Sequence, residues 1–262
     1  MKLELLSRQP AGTARPTPLL FVHGAWHGAW CWAEHFLDDF AAQGYAAHAL
    51  NLRGHGGSEG RAHLRWTRLA DYVADVAEVA AQLPAPPVVI GHSMGGAIVQ
   101  KYLETHAAPA GILLASVLPA GFLATTLRSA ARHPWEFLEG SVRWSLYPLV
   151  QTPALAREAF FSAALSEERV RAYHAQLQDE SFLAFLDMLV FNLPRPARVQ
   201  TPLLVLGGAA DTVFHPNEIE ATARAYGTQA TIFPDMAHDM MLEPGWHGVA
   251  ETMRKWLNGR GL

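Results

Sequence analysis

The chain has 262 residues, half of them hydrophobic and 17% charged, enough apolar content to bury a large core and to argue against disorder. Its formal net charge of −4, without a basic run, argues against nucleic acid or an anionic membrane surface as a partner. A single cysteine, Cys31, rules out an intrachain disulfide and any cysteine-based metal cluster, and reads as a small buried hydrophobe.

The N-terminal stretch "MKLELLSRQPAGTARPTPLLFVHG" lacks a continuous apolar core followed by a cleavage site. No stretch approaches the ~18 uninterrupted apolar residues of a membrane span. The expectation is a cytoplasmic protein with no membrane span. "PLLFV" (18–22) predicts the first buried strand, ending at a glycine, and residues 29–42 predict a helix. "YAAHAL" (45–50) predicts the next strand. Residues 67–83 place Leu69, Tyr72, Val73, Val76, Val79, Ala80 and Leu83 on one stripe at helical spacing, with Thr67 as the expected cap. "PAPP" stops that helix and launches "PVVI" (87–90) as a strand. A helix over 95–105 and the strand "GILLAS" (111–116) follow.

Residues 120–195 break the rhythm: they read as helical throughout and carry many aromatic side chains. "PLLVLG" (202–207), "ATIFP" (230–234) and a helix over 247–258 restore the alternation. Strands this continuously apolar are buried on both sheet faces, so the fold class is α/β, a mostly parallel sheet flanked by helices. The expected organisation is a core of residues 1–119 and 196–262 with a helical cap, 120–195, inserted over the C-terminal sheet edge. Such a cap overlies the crevice where open α/β sheets bind ligands, and Trp26, Trp135, Trp144 and Phe161 are the candidate pocket aromatics.

"PVVIGHSMGGAIV" (87–99) places Ser93 where a buried strand turns sharply into a helix, with Gly91, Gly95 and Gly96 admitting the turn. The hydroxyl then stands above the sheet, and the Met94 N–H points at the site where an anion would form. A serine needs a base to attack at neutral pH. Of 13 histidines, His238 in "FPDMAHDMMLEPGW" lies in a loop between the last strand and the last helix, at the sheet edge that carries Ser93. The acid belongs at the end of the preceding strand, where "PLLVLGGAADTVFHP" supplies Asp211. Asp235 and Asp239 lie too close in sequence to His238 to orient its far nitrogen easily, and the strand ending near Ser116 offers no carboxylate. There is no His-Glu-x-x-His, no phosphate-binding glycine loop and no dinucleotide fingerprint, so neither metal nor cofactor is expected.

The order Ser93, Asp211, His238 over essentially the whole chain resembles the α/β-hydrolase superfamily. "FVHGAW" resembles that family's oxyanion loop, which implies that the Ala25 amide joins that of Met94 in an oxyanion hole. "NLRGHGGSEG" and "AHDMMLEPGW" resemble loops common in its bacterial members, and Arg53, His55 and Ser58 read as loop stabilisers. "HGAWHGAWCW" resembles a subgroup of methyl-ester esterases and hydroxynitrile lyases. The lyases place Thr at the position of Gly24 and Lys at that of Asp239, so both departures favour the esterase side. His23 is expected to bond backbone beneath the oxyanion loop. The resemblance implies a serine carboxylesterase acting on a small-molecule ester. Lactone or thioester hydrolysis, acyl transfer, lyase-type cleavage and a ligand-binding receptor with vestigial activity stand as alternatives. Oligomeric state is not readable from these residues.

Overall fold

The computed structural model describes every residue except Ala11. Its strands, in chain order, are β1 (Glu4–Arg8), β2 (Leu19–Val22), β3 (Ala47–Asn51), β4 (Val88–His92), β5 (Gly111–Leu114), β6 (Leu203–Gly208) and β7 (Ala230–Phe233). They form one sheet in the order β1-β3-β2-β4-β5-β6-β7, parallel except for β1, which runs antiparallel to β3. Every strand read from the sequence is present within two residues. β1 was not anticipated, because "ELLSR" sits half-exposed at the sheet edge and carries no continuous apolar run.

Alternate residues of the inner strands feed two cores. Leu19, Phe21, Val88, Ile90, Ile112 and Leu114 face one side. Leu20, Val22, Val89, Leu113 and Val205 face the other. The period of two holds, but both faces are buried, which is why these strands read as unbroken apolar runs. The first face is covered by α1 (Trp30–Ala33), α2 (Phe36–Ala42) and, at the end of the chain, Trp246–Asn258. The second is covered by α3 (Leu69–Gln82), α4 (Met94–Leu103) and, later in the chain, Pro216–Ala225. The single helix expected over 29–42 is two helices, interrupted at Glu34 and His35. The cap of α3 is not Thr67: Arg68 occupies that position, and the Asp71 carboxylate accepts its backbone N–H at 2.8 Å.

Between β5 and β6 lies the helical insertion, with α5 (Leu123–Arg132), α6 (Pro134–Arg143), α7 (Pro153–Phe160), α8 (Glu167–His174) and α9 (Phe182–Leu186). The chain closes with α10 (Pro216–Ala225) and α11 (Trp246–Asn258). The insertion is not helical throughout. A 3-10 turn spans Tyr147–Val150, an irregular stretch precedes α9, and a π turn at Asp187–Phe191 follows it. Buried polar contacts tie it to the sheet. Arg68 Nε donates to Asp187 at 2.8 Å, and the Asp187 carboxylate also accepts the Leu69 N–H at 3.0 Å. Buried Glu180 accepts from the Tyr72 hydroxyl at 2.6 Å and lies 3.1 Å from His55 Nε2. The loop 53–58 is thus braced: Arg53 forks onto Asp75, and the Ser58 hydroxyl donates to the Asn51 carbonyl.

No described helix is long and apolar enough to cross a membrane. The strand order reverses at β2 and β4: β3 adds outside β2, and β4 adds on its other side. The crevice beyond the C-terminal ends of these two strands is where open α/β sheets place ligands.

Candidate active site

Ser93 is the residue after β4, and its backbone adopts φ 51°, ψ −115°, a conformation costing ~1–3 kcal/mol that persists only when the surroundings impose it. Those surroundings are on both sides: the Ser93 N–H donates to the Leu114 carbonyl at 3.0 Å, and its own carbonyl accepts from Gly96 and Val117. The turn also needs close backbone approach. A Cβ at Gly91 would stand 2.3 Å from the Gly95 carbonyl oxygen, and one at Gly95 would stand 2.3 Å from that of Val22. Met94 opens α4, so its N–H is one of the unpaired donors of a helix first turn.

His238 lies in the loop between β7 and α11, and Asp211 in the loop after β6, both buried. Asp211 Oδ2 is 2.8 Å from His238 Nδ1, while Oδ1 accepts the Val213 and Phe214 N–H groups. The carboxylate is therefore fixed by its own loop and fixes the imidazole in turn. Burial works against charging His238, but Asp211 and, beyond it, Asp239 outweigh that, so the imidazole sits above the ordinary histidine range. Ser93, Met94, Ala25 and His238 all line one cavity beneath the insertion, enclosing ≈ 1180 Å³ with its open mouth included. Its inner wall is apolar: Val117, Leu146, Phe160, Phe185 and Met188. Its rim carries Arg128, Arg132, His133 and Glu158, with Glu158 3.1 Å from Arg132 and 3.2 Å from His133.

Ala25 belongs to the loop after β2. His23 bonds backbone as expected: Nε2 accepts the Leu52 N–H at 3.2 Å, and Nδ1 donates to the Gly24 carbonyl at 2.8 Å. That carbonyl shares its peptide unit with the Ala25 N–H, so His23 sets the direction of the very amide at issue. Burial, with His55 nearby, holds His23 well below the usual histidine range, the neutral state this bonding requires. His92 is likewise neutral, pushed down to about 3 by burial and by His238, and its Nε2 donates to the His238 carbonyl at 3.0 Å.

Of the candidate pocket aromatics, Trp26 alone lines the cavity, its indole N–H donating to the Leu146 carbonyl at 3.1 Å. Trp135 is 76% exposed on the outer face of α6 and points away from it. Trp144 ends α6 in a left-handed conformation and packs on Phe182 and Trp66 instead. Phe161 is buried against Tyr173 outside the cavity, and its neighbour Phe160 takes the wall position, 6.1 Å from the His238 ring. Neighbours at a helix end point opposite ways, and nothing in "AFFS" distinguishes them. Glu180, a cavity residue in the polar string "QDES", has no sequence signal at all. His92, His238 and Asp239 group their ligand atoms within 4.8 Å, but two of these side chains already make the hydrogen bonds above, and no metal need be invoked.

Residues 19–252 match the Alpha/beta hydrolase family. The chain belongs to that family. A pyrethroid hydrolase from Sphingobium wenxiniae is 31% identical over 90 residues, 34% of this chain and 31% of that protein. The chain thus spans about a third of the length of that relative. A monoacylglycerol lipase from Mycolicibacterium smegmatis is 26% identical over 250 residues, 86% of this chain and 82% of that protein. Among solved structures, the monoacylglycerol lipase of Paleococcus ferrophilus superposes with a TM-score of 0.75 at 20% identity, covering 99% of this chain and 100% of that one. That likeness concerns the fold alone. The expected superfamily and the mostly parallel sheet are both present.

Proposed function

We propose that this chain is a serine hydrolase that cleaves a carboxylic ester of a small to medium hydrophobic substrate through an acyl-enzyme. The observation that carries the reading is that His238, bonded to Asp211 at 2.8 Å, lines the same cavity as a serine held in a strained turn. The family membership and the hydrolase and lipase names among its relatives support hydrolysis.

Ser93 Oγ attacks the ester carbonyl while His238 Nε2 takes its proton. The carbonyl π electrons move onto oxygen, and the Ala25 and Met94 amides receive the resulting anion. Each such donor is worth about 3 kcal/mol of transition-state stabilisation. Collapse breaks the C–O bond, and His238 returns its proton to the departing alcohol. Water, deprotonated by His238, then attacks the acyl-serine and releases the acid. Asp211 holds the imidazole in the Nδ1–H tautomer and balances the imidazolium. Serine, histidine and backbone amides supply every proton and charge, so the reaction as drawn needs no cofactor. The helical insertion acts as the cap, its apolar inner wall receiving the hydrophobic part of the ester. The reading keeps the chain in the cytoplasm, acting on a small molecule.

A fluorophosphonate probe is expected to label the wild-type chain and to leave Ser93→Ala unlabelled; equal labelling of both removes Ser93 as nucleophile. A panel of esters, lactones, thioesters and cyanohydrins is expected to show fastest turnover on uncharged esters with an apolar acyl or alcohol part. Turnover confined to short charged esters overturns the substrate assignment.

A further inference from the structure

The sequence sets His27 and Asp239 apart, in two loops whose residue numbers differ by 212, and the mechanism above uses neither. The fold brings them together: His27 Nε2 is 2.9 Å from Asp239 Oδ2, with side chains 1% and 0% exposed. His27 Nδ1 is 2.7 Å from the Ala25 carbonyl oxygen. Both ring nitrogens thus face oxygen atoms, one of a carbonyl and one of a carboxylate. Burial alone would disfavour a charged Asp239, yet His27, with His92 and His238, more than offsets it and holds the carboxyl below its ordinary value.

We infer that the buried His27–Asp239 pair is a clasp joining the oxyanion loop to the histidine loop, and that both are positioning residues for ester cleavage. The inference rests on the serine-hydrolase reading, and three observations carry it. First, the two peptide units that flank Ala25 are each pinned by a histidine, the Gly24 carbonyl by His23 and the Ala25 carbonyl by His27. The Ala25 N–H therefore has no freedom to turn unless one of these bonds opens. Second, the next residue, Trp26, stands at φ +64°, so the loop is held in a form it would otherwise leave. Third, Asp239 directly follows His238, and its N–H donates to the Phe160 carbonyl at 3.0 Å. Its second oxygen, Oδ1, lies 3.6 Å from His92 Nε2 and has no hydrogen-bond partner among the described residues. The clasp thereby spans the proposed oxyanion donor and the proposed base, and the distance between those groups is what an attack geometry depends on.

The test compares Asp239→Asn and His27→Gln with the wild-type chain and with Ser93→Ala, on an uncharged p-nitrophenyl ester. Each clasp variant is expected to lower kcat by about tenfold to a hundredfold with KM within about twofold, the pattern of lost alignment rather than lost binding. An arylboronic acid, which adds to the serine and puts its oxygen at the anion position, is expected to lose affinity by the same factor as kcat/KM. The double variant is expected to cost little more than either single one, because the pair acts as a unit. Wild-type kcat in folded clasp variants, alongside an inactive Ser93→Ala, overturns the clasp and leaves the hydrolase reading intact. Full activity in Ser93→Ala overturns the hydrolase reading itself. Should the variants fail to fold, the unmodified protein still decides: proton NMR with nitrogen-labelled histidines is expected to show a His27 ring N–H held in a hydrogen bond and slow to exchange with water. A His27 ring hydrogen in free exchange with water overturns the clasp.

Discussion

At the scale of single residues, the titration of His238 sets how the reaction answers to pH. In the proposed reaction the base must be uncharged to take the serine proton, and the His238 pKa is raised above the ordinary histidine value. Turnover is therefore present above that raised value and is lost as pH falls through it. The groups facing His238 are Asp211 from the β6 loop, Asp239 beside it and His92 from β4, with His27 behind Asp239. The kcat/KM profile is expected to show an acid limb above the ordinary histidine range, moving to lower pH in Asp239→Asn, which removes a negative charge that helps keep the imidazole protonated. An unmoved limb would mean that Asp239 does not act on the base. Asp211→Asn is expected to lower kcat by about 10³- to 10⁴-fold in steady-state assays, because the imidazole loses its fixed tautomer.

These same residues mark the limit of what the chain declares about itself. Ser93, Asp211 and His238 were legible because each follows an apolar strand, and the topology of a parallel sheet sends every such loop to one edge. Asp239 reads in sequence as too close to His238 to serve it and as a departure from the lyase lysine, and both readings are silent about His27. Its partner lies across the sheet, and no local pattern encodes a contact between loops so far apart in the chain. Trp135 and Trp144 went astray for a related reason: aromatic content marks the insertion as apolar, but the helical face on which each residue falls depends on how the helices pack.

At the scale of elements, the stretch from Gln178 to Ser181 joins three parts of the fold, although it is neither helix nor strand. Gln178 N–H donates to the Trp26 carbonyl at 2.9 Å, and Asp179 accepts the N–H groups of Leu146 and Tyr147. Glu180 reaches His55 and Tyr72, and the Ser181 hydroxyl caps α9. One short polar segment therefore fastens the insertion, the loop after β2 and the braced loop at 53–58 to one another. Removing the Glu180 carboxylate leaves the buried Tyr72 hydroxyl and the His55 ring without their partner, and each buried polar group so stranded costs about 1–3 kcal/mol. Glu180→Ala is expected to lower the urea midpoint accordingly; an unchanged midpoint would show that the tie contributes nothing. Regular elements followed from periodicity, whereas this segment could not, since its side chains look like those of any solvated loop.

At the scale of the whole molecule, the crevice between β2 and β4 decides where chemistry can occur. These strands are adjacent and parallel, with Val22 opposite Gly91, so the loops that leave them start side by side. One delivers Ala25 and the other Ser93 and Met94, and the insertion roofs both. A covalent adduct at Ser93 that fills this cavity touches sheet loops and insertion together. Labelling with a bulky apolar fluorophosphonate is expected to raise the melting temperature by calorimetry, whereas a small methyl phosphonate is expected to raise it less. Equal shifts would separate the insertion from the occupied cavity.

Cys31 adds a practical dimension to this architecture. It is fully buried beside Trp32 in the core, and burial pushes its thiol well above the usual range, so it stays un-ionised and shielded from reagents while the chain is folded. A single cysteine introduced at an exposed site of the insertion would therefore be the only reactive thiol in solution. Trp135→Cys, at a position 76% exposed on α6, would accept one trifluoromethyl tag without prior removal of a native residue. The fluorine spectrum of that tag would then report, on an otherwise natural chain, whether the roof of the cavity has one resting position or several.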